Sequence, residues 1–290
     1  MPTVAPVRPS PIAGAWYESN PSALGLAVDE YMNRAHLPEL SGELIGVIAP
    51  HAGHIYSGPV AGYAFAAVRS ENNRRAKQGR PIRLVAVVSP MHYPYYEPLL
   101  TSAHQSYWTP LGEVPIAHDK LALLQVAVKK RFSAGLQPVA YDREHSLEIE
   151  LPFLQRALPD GFELLPLMIH SQSPKAAEAL GLALGEVLAD QNALLVASTD
   201  LSHFYDQKTA RLLDQTMLEC FEAFDPYSIF RLEASGRGQA CGHAAVAAVL
   251  WAAHTLGANT VRTLAYATSG DVTGDYHSVV GYGAAAILKL

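Results

Sequence analysis

The chain has little cysteine and little charge. Only two of its 290 residues are cysteine, Cys220 and Cys241, and 17% are charged. Two cysteines cannot build a disulfide framework, so a reducing, cytoplasmic setting is expected. No run of about 18 apolar residues occurs, so no membrane span is expected. The opening Met-Pro-Thr-Val-Ala-Pro-Val-Arg-Pro-Ser-Pro places prolines where a secretory leader needs an apolar helix. No G-x-x-x-x-G-K-[ST] and no G-x-G-x-x-G follows an apolar run, which argues against a nucleotide cofactor. The G-x-S-x-G elbow of one large hydrolase class is missing, and so is the C-x-x-C spacing of closed zinc sites. Net charge is −6 and no basic stripe carries interleaved aromatics, so nucleic acid is not an expected partner. The densest basic stretch, residues 69–83, holds Asn72, Asn73 and Gly79 and reads as a solvated connection.

What is present is a 49% apolar chain in which short apolar runs alternate with helical patterns. Strands are expected over 44–49, 84–89, 162–169, 193–198, 262–267 and 279–288. Helices are expected over 24–32, 59–69, 120–132, 144–157, 174–189, 208–223 and 244–256, with a shorter one opening at Asp225-Pro226. Residues 94–118 read as loops and short strands. This alternation predicts an α/β fold with three layers, αβα: a mostly parallel central sheet with helices on both faces. Residues 1–290 read as a single domain, with 1–15 as an extended, proline-rich lead-in. Right-handed crossovers bring the carboxyl ends of parallel strands to one edge, where open α/β sheets bind ligands.

Twelve histidines are present, and their placement is more informative than their number. The run 44–49 ends in Pro50-His51, and 84–89 ends in Pro90-Met91-His92. An imidazole held on a strand end is a rigid metal ligand, although it can equally cap the strand by bonding backbone. Cys241 precedes Gly242 and a helical pattern; a helix N-terminus lowers a thiol pKa and favours thiolate, while the plain alternative is a small buried residue. Asp200 and His203 are three apart, so a helical turn would put them on one face as carboxylate and general base. Glu144, His145 and Glu148 form a further cluster, suited to supporting ligands or touching substrate. His54, Trp16 and Tyr17 could line a pocket, and His243 is an extra imidazole beside Cys241.

Taken in order, Gly14-Ala15-Trp16-Tyr17, Ala49-Pro50-His51-Ala52-Gly53, Ser89-Pro90-Met91-His92, Glu144-His145-Ser146-Leu147-Glu148, Leu151-Pro152, Ser198-Thr199-Asp200-Leu201-Ser202-His203 and Ala240-Cys241-Gly242 resemble the Memo family, whose microbial members are known as AmmeMemoRadiSam system protein B. The resemblance runs from about residue 8 to residue 288. It implies a fold similar to class III extradiol dioxygenases, non-haem iron enzymes in which two histidines and a glutamate bind Fe(II) and another histidine is the acid–base group. The matching positions make His51, His92 and Cys241 the metal set and His203 the acid–base group, oriented by Asp200. His243 stands as a competing ligand. Thiolate in place of carboxylate softens the site, so the implied cofactor is Fe(II) or copper, with zinc also accommodated. Ring cleavage does not follow from the fold alone. Three functions remain open at this point: a metal-dependent, dioxygenase-like oxidoreductase acting on a small substrate, a non-catalytic protein that binds a peptide or partner in the same cleft, and an accessory factor working with AMMECR-type and radical-SAM proteins.

Overall fold

The computed structural model describes residues 5–290; the first four residues of the lead-in lie outside it. In chain order the elements are β1 (Val7–Arg8), α1 (Pro21–Arg34), β2 (Glu43–Ala49), α2 (His54–Lys77), β3 (Leu84–Pro90), β4 (Leu99–Ser102), β5 (Ser106–Thr109), β6 (Gly112–Pro115), α3 (His118–Arg131) and β7 (Gln137–Val139). A 3₁₀ turn (Glu148–Glu150) leads into α4 (Leu151–Ala157). Then come β8 (Glu163–Ile169), α5 (Pro174–Leu188), β9 (Ala193–Ser198), β10 (His203–Tyr205), α6 (Gln207–Glu222), α7 (Pro226–Ala234), α8 (His243–Thr255), β11 (Thr260–Thr268), the single turn α9 (Gly270–Thr273) and β12 (Val279–Lys289).

Nine strands form the main sheet, in the order β10-β12-β2-β9-β3-β8-β4-β7, with β11 also paired to β12. The central four, β2, β9, β3 and β8, are parallel. β12 and β4 run antiparallel to their inner neighbours, so the sheet is mixed and only its centre is parallel. The reason for the apolar runs is visible in how they divide. Ile45 and Ile48 of β2, Leu84, Ala86 and Val88 of β3, and Leu195 and Ala197 of β9 enter one core, with residues of α3, α5 and α8. Leu44, Val47 and Ala49, Val85 and Val87, and Leu194 and Val196 enter the other, with residues of α1, α2 and α4. A strand buried on both faces has no polar side, which gives a continuous apolar run in place of an alternation. The three-layer architecture follows from these two cores.

Two expected elements change shape. α2 begins at His54, not at residue 59, and extends to Lys77. Pro59 is tolerated inside it because only one hydrogen bond, close to the helix start, is lost. The basic stretch after residue 69 is mostly the end of this helix; most of it is exposed, as expected, but Arg75 is not. Arg75 is buried there, bonded to Glu71 Oε1 (2.7 Å) and to the Leu44 carbonyl (2.5 Å). The segment 144–157 is not one helix. The Glu144 carboxylate accepts from the N–H groups of His145 and Ser146, both at 2.9 Å, and turns the chain before the helix begins. α4 then starts with Pro152 in its first turn, where a missing N–H costs nothing.

The lead-in is also more than an extended approach. β1 pairs with β5, and Arg8 is buried against Asp142 (2.7 Å) and Glu148 (2.5 Å). No helix among the described residues is long and apolar enough to cross a membrane.

Candidate metal centre

β2 and β3 lie on either side of β9, and all three are parallel. Their carboxyl ends therefore deliver His51, His92 and the 199–203 loop to one edge. Cys241 arrives from the loop before α8. Gly242 lets that loop close: a Cβ there would stand 2.3 Å from the Ser198 carbonyl oxygen. The donor atoms of His51, His92 and Cys241 lie within 4.8 Å of one another. Cys241 Sγ is 3.2 Å from His51 Nε2, and the His51 and His92 rings meet edge to face with centroids 5.3 Å apart.

Each of these three side chains is held from behind. His51 Nδ1 is 3.0 Å from Ser198 Oγ, which leaves Nε2 toward the cysteine. His92 Nδ1 is 3.0 Å from Glu144 Oε1, and the His92 backbone N–H donates to Glu144 Oε2 at 2.5 Å. Carboxylates and hydroxyls in this position fix the imidazole tautomer and ring orientation. Cys241 is held by its own N–H on the Asp200 carbonyl (3.2 Å), while the Asp200 N–H donates to Cys241 Sγ (3.3 Å).

The electrostatics suit a cation. Burial, then the neighbouring His145 and His92, push His51 well below the ordinary histidine value and keep it a neutral ligand. Burial pulls His92 down too, but the Glu144 carboxylate outweighs it and lifts the net value. Burial opposes ionisation of Glu144, yet the His92 bonds and charge hold that carboxyl below the usual carboxylate range. Burial, joined by the Asp200 carboxylate, raises the Cys241 thiol. The lowering expected of a helix N-terminus does not prevail: the thiol is raised although α8 begins only two residues later. A two-histidine, one-cysteine set with open positions fits a single soft or borderline divalent ion, and the thiolate it needs would form as the ion displaces the proton.

The other sequence candidates fall into place around this centre. His145 stacks on His92 with centroids 4.8 Å apart, and Trp16, partly exposed, covers His145 at 4.2 Å. His92, Glu144 and His145 also place donor atoms close together, but Glu144 Oε1 already meets His92 Nδ1 and the N–H groups of His145 and Ser146. That carboxylate supports a ligand. Tyr17 and Glu148 belong to a buried network one step back: the Tyr17 hydroxyl donates to Glu148 Oε1 at 2.7 Å. His54 points away from the ligands, its Nε2 donating to the Ile149 carbonyl (3.1 Å) and its ring packed on Tyr17 and Phe153.

Two expectations are corrected. Asp200 does not orient His203. Residues 203–205 are a strand, β10, so a spacing of three does not share a face as it would in a helix. Asp200 Oδ1 instead accepts the His51 backbone N–H at 2.7 Å, and burial raises its carboxyl to about 7. His203 Nδ1 donates to the Leu201 carbonyl at 2.8 Å, which leaves Nε2 as a free base. His243 is not among the converging donors. Its Nδ1 bonds the Ala240 carbonyl (3.0 Å) and its ring packs on Phe230.

The family model for Memo-like protein matches residues 8–286. The chain belongs to the Memo family. It is 31% identical over 282 residues to a MEMO1 family protein of Nitrosopumilus maritimus, covering 96% of this chain and 98% of the relative. A MEMO1 family protein of Thermotoga neapolitana is 37% identical over 239 residues (82% and 80%), and one of Methanothermobacter thermautotrophicus is 33% identical over 284 (95% and 98%). A crystal structure of an uncharacterized Escherichia coli K12 protein aligns over 83% of this chain and 99% of its own, at 12% identity and a TM-score of 0.41, too remote to carry an argument.

In this Memo-family chain two residues behind the ligands escaped sequence reasoning: Ser198 and Glu150. Ser198 is the last residue of an apolar strand, where a serine reads as a strand end. Glu150 sits between Ile149 and Leu151, and a carboxyl flanked by apolar residues on both sides is the signal that could have marked it.

Proposed function

We propose that this Memo-family protein binds one iron or copper ion through His51, His92 and Cys241 and is a metal-dependent, dioxygenase-like oxidoreductase acting on a small substrate. The observation that carries the reading is the convergence of those three donors within 4.8 Å, each backed by a hydrogen bond. The bound ion would supply Lewis acidity and a redox partner for O₂. The chain's own part is proton handling. His203 is neutral, because burial outweighs its backbone bond and lowers its pKa, and its Nε2 is unengaged by Leu201. A neutral imidazole with a fixed tautomer suits removal of a substrate hydroxyl proton. The Trp16–His145 contact borders the site.

A second reading has its own observation. A pocket of about 500 Å³ lies between the 14–19 loop and the start of α2, with Trp16, Tyr31, Ile55 and Tyr56 among its lining residues. It could seat an apolar side chain of a peptide or partner without any turnover.

Metal analysis of protein purified without oxygen tests the first reading, with near-stoichiometric iron or copper expected. Absence of iron, copper and zinc overturns it. Oxygen uptake by the iron-loaded protein with a panel of catechols then separates enzyme from binder. Silence in both wild type and Cys241→Glu favours the peptide pocket.

A further inference from the structure

Ser198 Oγ has three polar neighbours: His51 Nδ1 at 3.0 Å, the Ser146 carbonyl at 2.7 Å and Glu150 Oε1 at 2.6 Å. A serine hydroxyl donates one hydrogen bond and accepts two. The Ser146 carbonyl can only accept, so it takes the Ser198 proton. Both remaining neighbours must then donate into Ser198 Oγ. His51 does so through Nδ1–H. Glu150 can do so only as the neutral acid, through its own O–H. Giving the Ser198 proton to an ionised Glu150 would leave two bare oxygens, Ser198 Oγ and the Ser146 carbonyl, facing each other at 2.7 Å.

The surroundings of Glu150 agree. The side chain is buried, its Oε2 has no partner, and no basic side chain pairs with it among the described residues. An ion held at that depth without a counter-charge is strongly disfavoured against the neutral acid. Burial, reinforced by the Asp200 carboxylate, accordingly raises its carboxyl well above the usual range.

We infer that Glu150 is a positioning residue: its neutral carboxyl donates to Ser198 Oγ and, through that hydroxyl, keeps the His51 proton on Nδ1 and a lone pair on Nε2 facing Cys241. The inference rests on the metal reading only for its purpose, because the tautomer and the carboxyl proton exist before any ion arrives. Without the Glu150 donor, the Ser198 hydroxyl is free to rotate and donate to His51 Nδ1. The opposite tautomer would then put a proton where the ion must bind.

The test uses the full-length, metal-free protein. Ring-nitrogen NMR, with the His51 signals assigned by their loss in His51→Gln, is expected to report the Nδ1–H tautomer in wild type and in Glu150→Gln. The Gln amide donates in the same place. The infrared difference between wild type and Glu150→Gln at neutral pH should carry the carbonyl stretch of a protonated acid. In cobalt titrations Glu150→Gln keeps wild-type affinity, whereas Glu150→Leu weakens it on the order of 10–100-fold. A carboxylate band in place of the acid band, an Nε2–H tautomer in wild type, or equal losses in Gln and Leu would overturn the assignment. Should Glu150→Leu fail to fold, the infrared and NMR comparison with Glu150→Gln still decides. Should the wild type take up no metal, the proposed function falls, while the same two spectra decide the role of Glu150 separately.

Discussion

Cys241 Sγ stands 3.2 Å from His51 Nε2 across 190 residues of sequence. Asp200 ties the two together. Its main chain holds Cys241 at both N and Sγ, and its carboxylate accepts the His51 backbone N–H. One residue in the loop after β9 thus sets the spacing between a side chain from the loop after β2 and one from the loop before α8.

This contact makes Cys241 the ligand whose loss is easiest to see. The cobalt-loaded wild type is expected to show strong thiolate-to-metal charge-transfer absorption. Cys241→Ser should abolish that band and weaken binding. Persistence of the band in the variant would place the sulfur outside the metal set.

Metal uptake should release protons. The Cys241 thiol is raised by burial and Asp200, and the His92 value is lifted by Glu144 against burial, so lowering the pH favours forms that cannot bind an ion. Affinity is therefore expected to rise with pH through the neutral range. Calorimetric titration in two buffers of different ionisation enthalpy measures the proton count. At least one proton per ion is expected at pH 7, and none would contradict the thiol assignment.

Glu144 holds His92 by ring and by backbone. Glu144→Ala is expected to weaken metal binding by on the order of 10–100-fold. Glu144→Gln keeps an acceptor for the Nδ1–H and should lose less. Identical losses in the two variants, measured by competition with a chromophoric chelator, would show that packing and not the hydrogen bond is at stake.

His203 is outside the ligand set, and its Nδ1 is anchored on Leu201. His203→Ala should retain the metal stoichiometry of wild type and lose turnover by roughly the 10²–10⁴-fold typical of a general base. Loss of the metal instead would reassign His203 as a ligand.

His54 predicts an acid instability unrelated to the ion. Burial lowers its pKa to about 4 in the folded protein, from 6.5 when free. Between those values the unfolded chain binds a proton that the folded chain refuses, so stability is present above pH 6.5 and is lost as pH falls toward 4. The full effect is on the order of 3 kcal/mol. His54→Phe removes the titrating group between Tyr17 and Phe153. Its urea-unfolding free energy should depend less on pH across that window than that of wild type, and an unchanged slope would refute the assignment.

Much of the architecture was legible because it is local. A strand buried on both faces writes itself as an unbroken apolar run, and the positions of β2, β3, β8 and β9 follow from that. The strand–proline–histidine endings marked His51 and His92, since parallel strands place those ends on one edge. Irregular segments were less legible. The turn at 144–147 is shaped by a carboxylate bonded to its neighbours' N–H groups, and such a bond has no periodicity to read. The basic stretch after residue 69 is largely solvated, as it read, but composition ignores partners and so hid the burial of Arg75. Glu71 and the Leu44 carbonyl are what allow Arg75 to be buried.

For this protein the sequence by itself determined the layers, the central strands and, through the Memo resemblance, the three candidate donors that converge, His51, His92 and Cys241. Those depend on hydrophobic period and on residue identity, which a linear string carries. Only the tertiary structure decided what each polar group does. It moved Asp200 from His203 to His51, tied His243 to the Ala240 carbonyl, kept the Cys241 thiol high, and placed Ser198 and Glu150 behind His51. A hydrogen bond or a desolvation cost depends on which atoms lie within about 3 Å and how much water is excluded, and chain separation does not encode either.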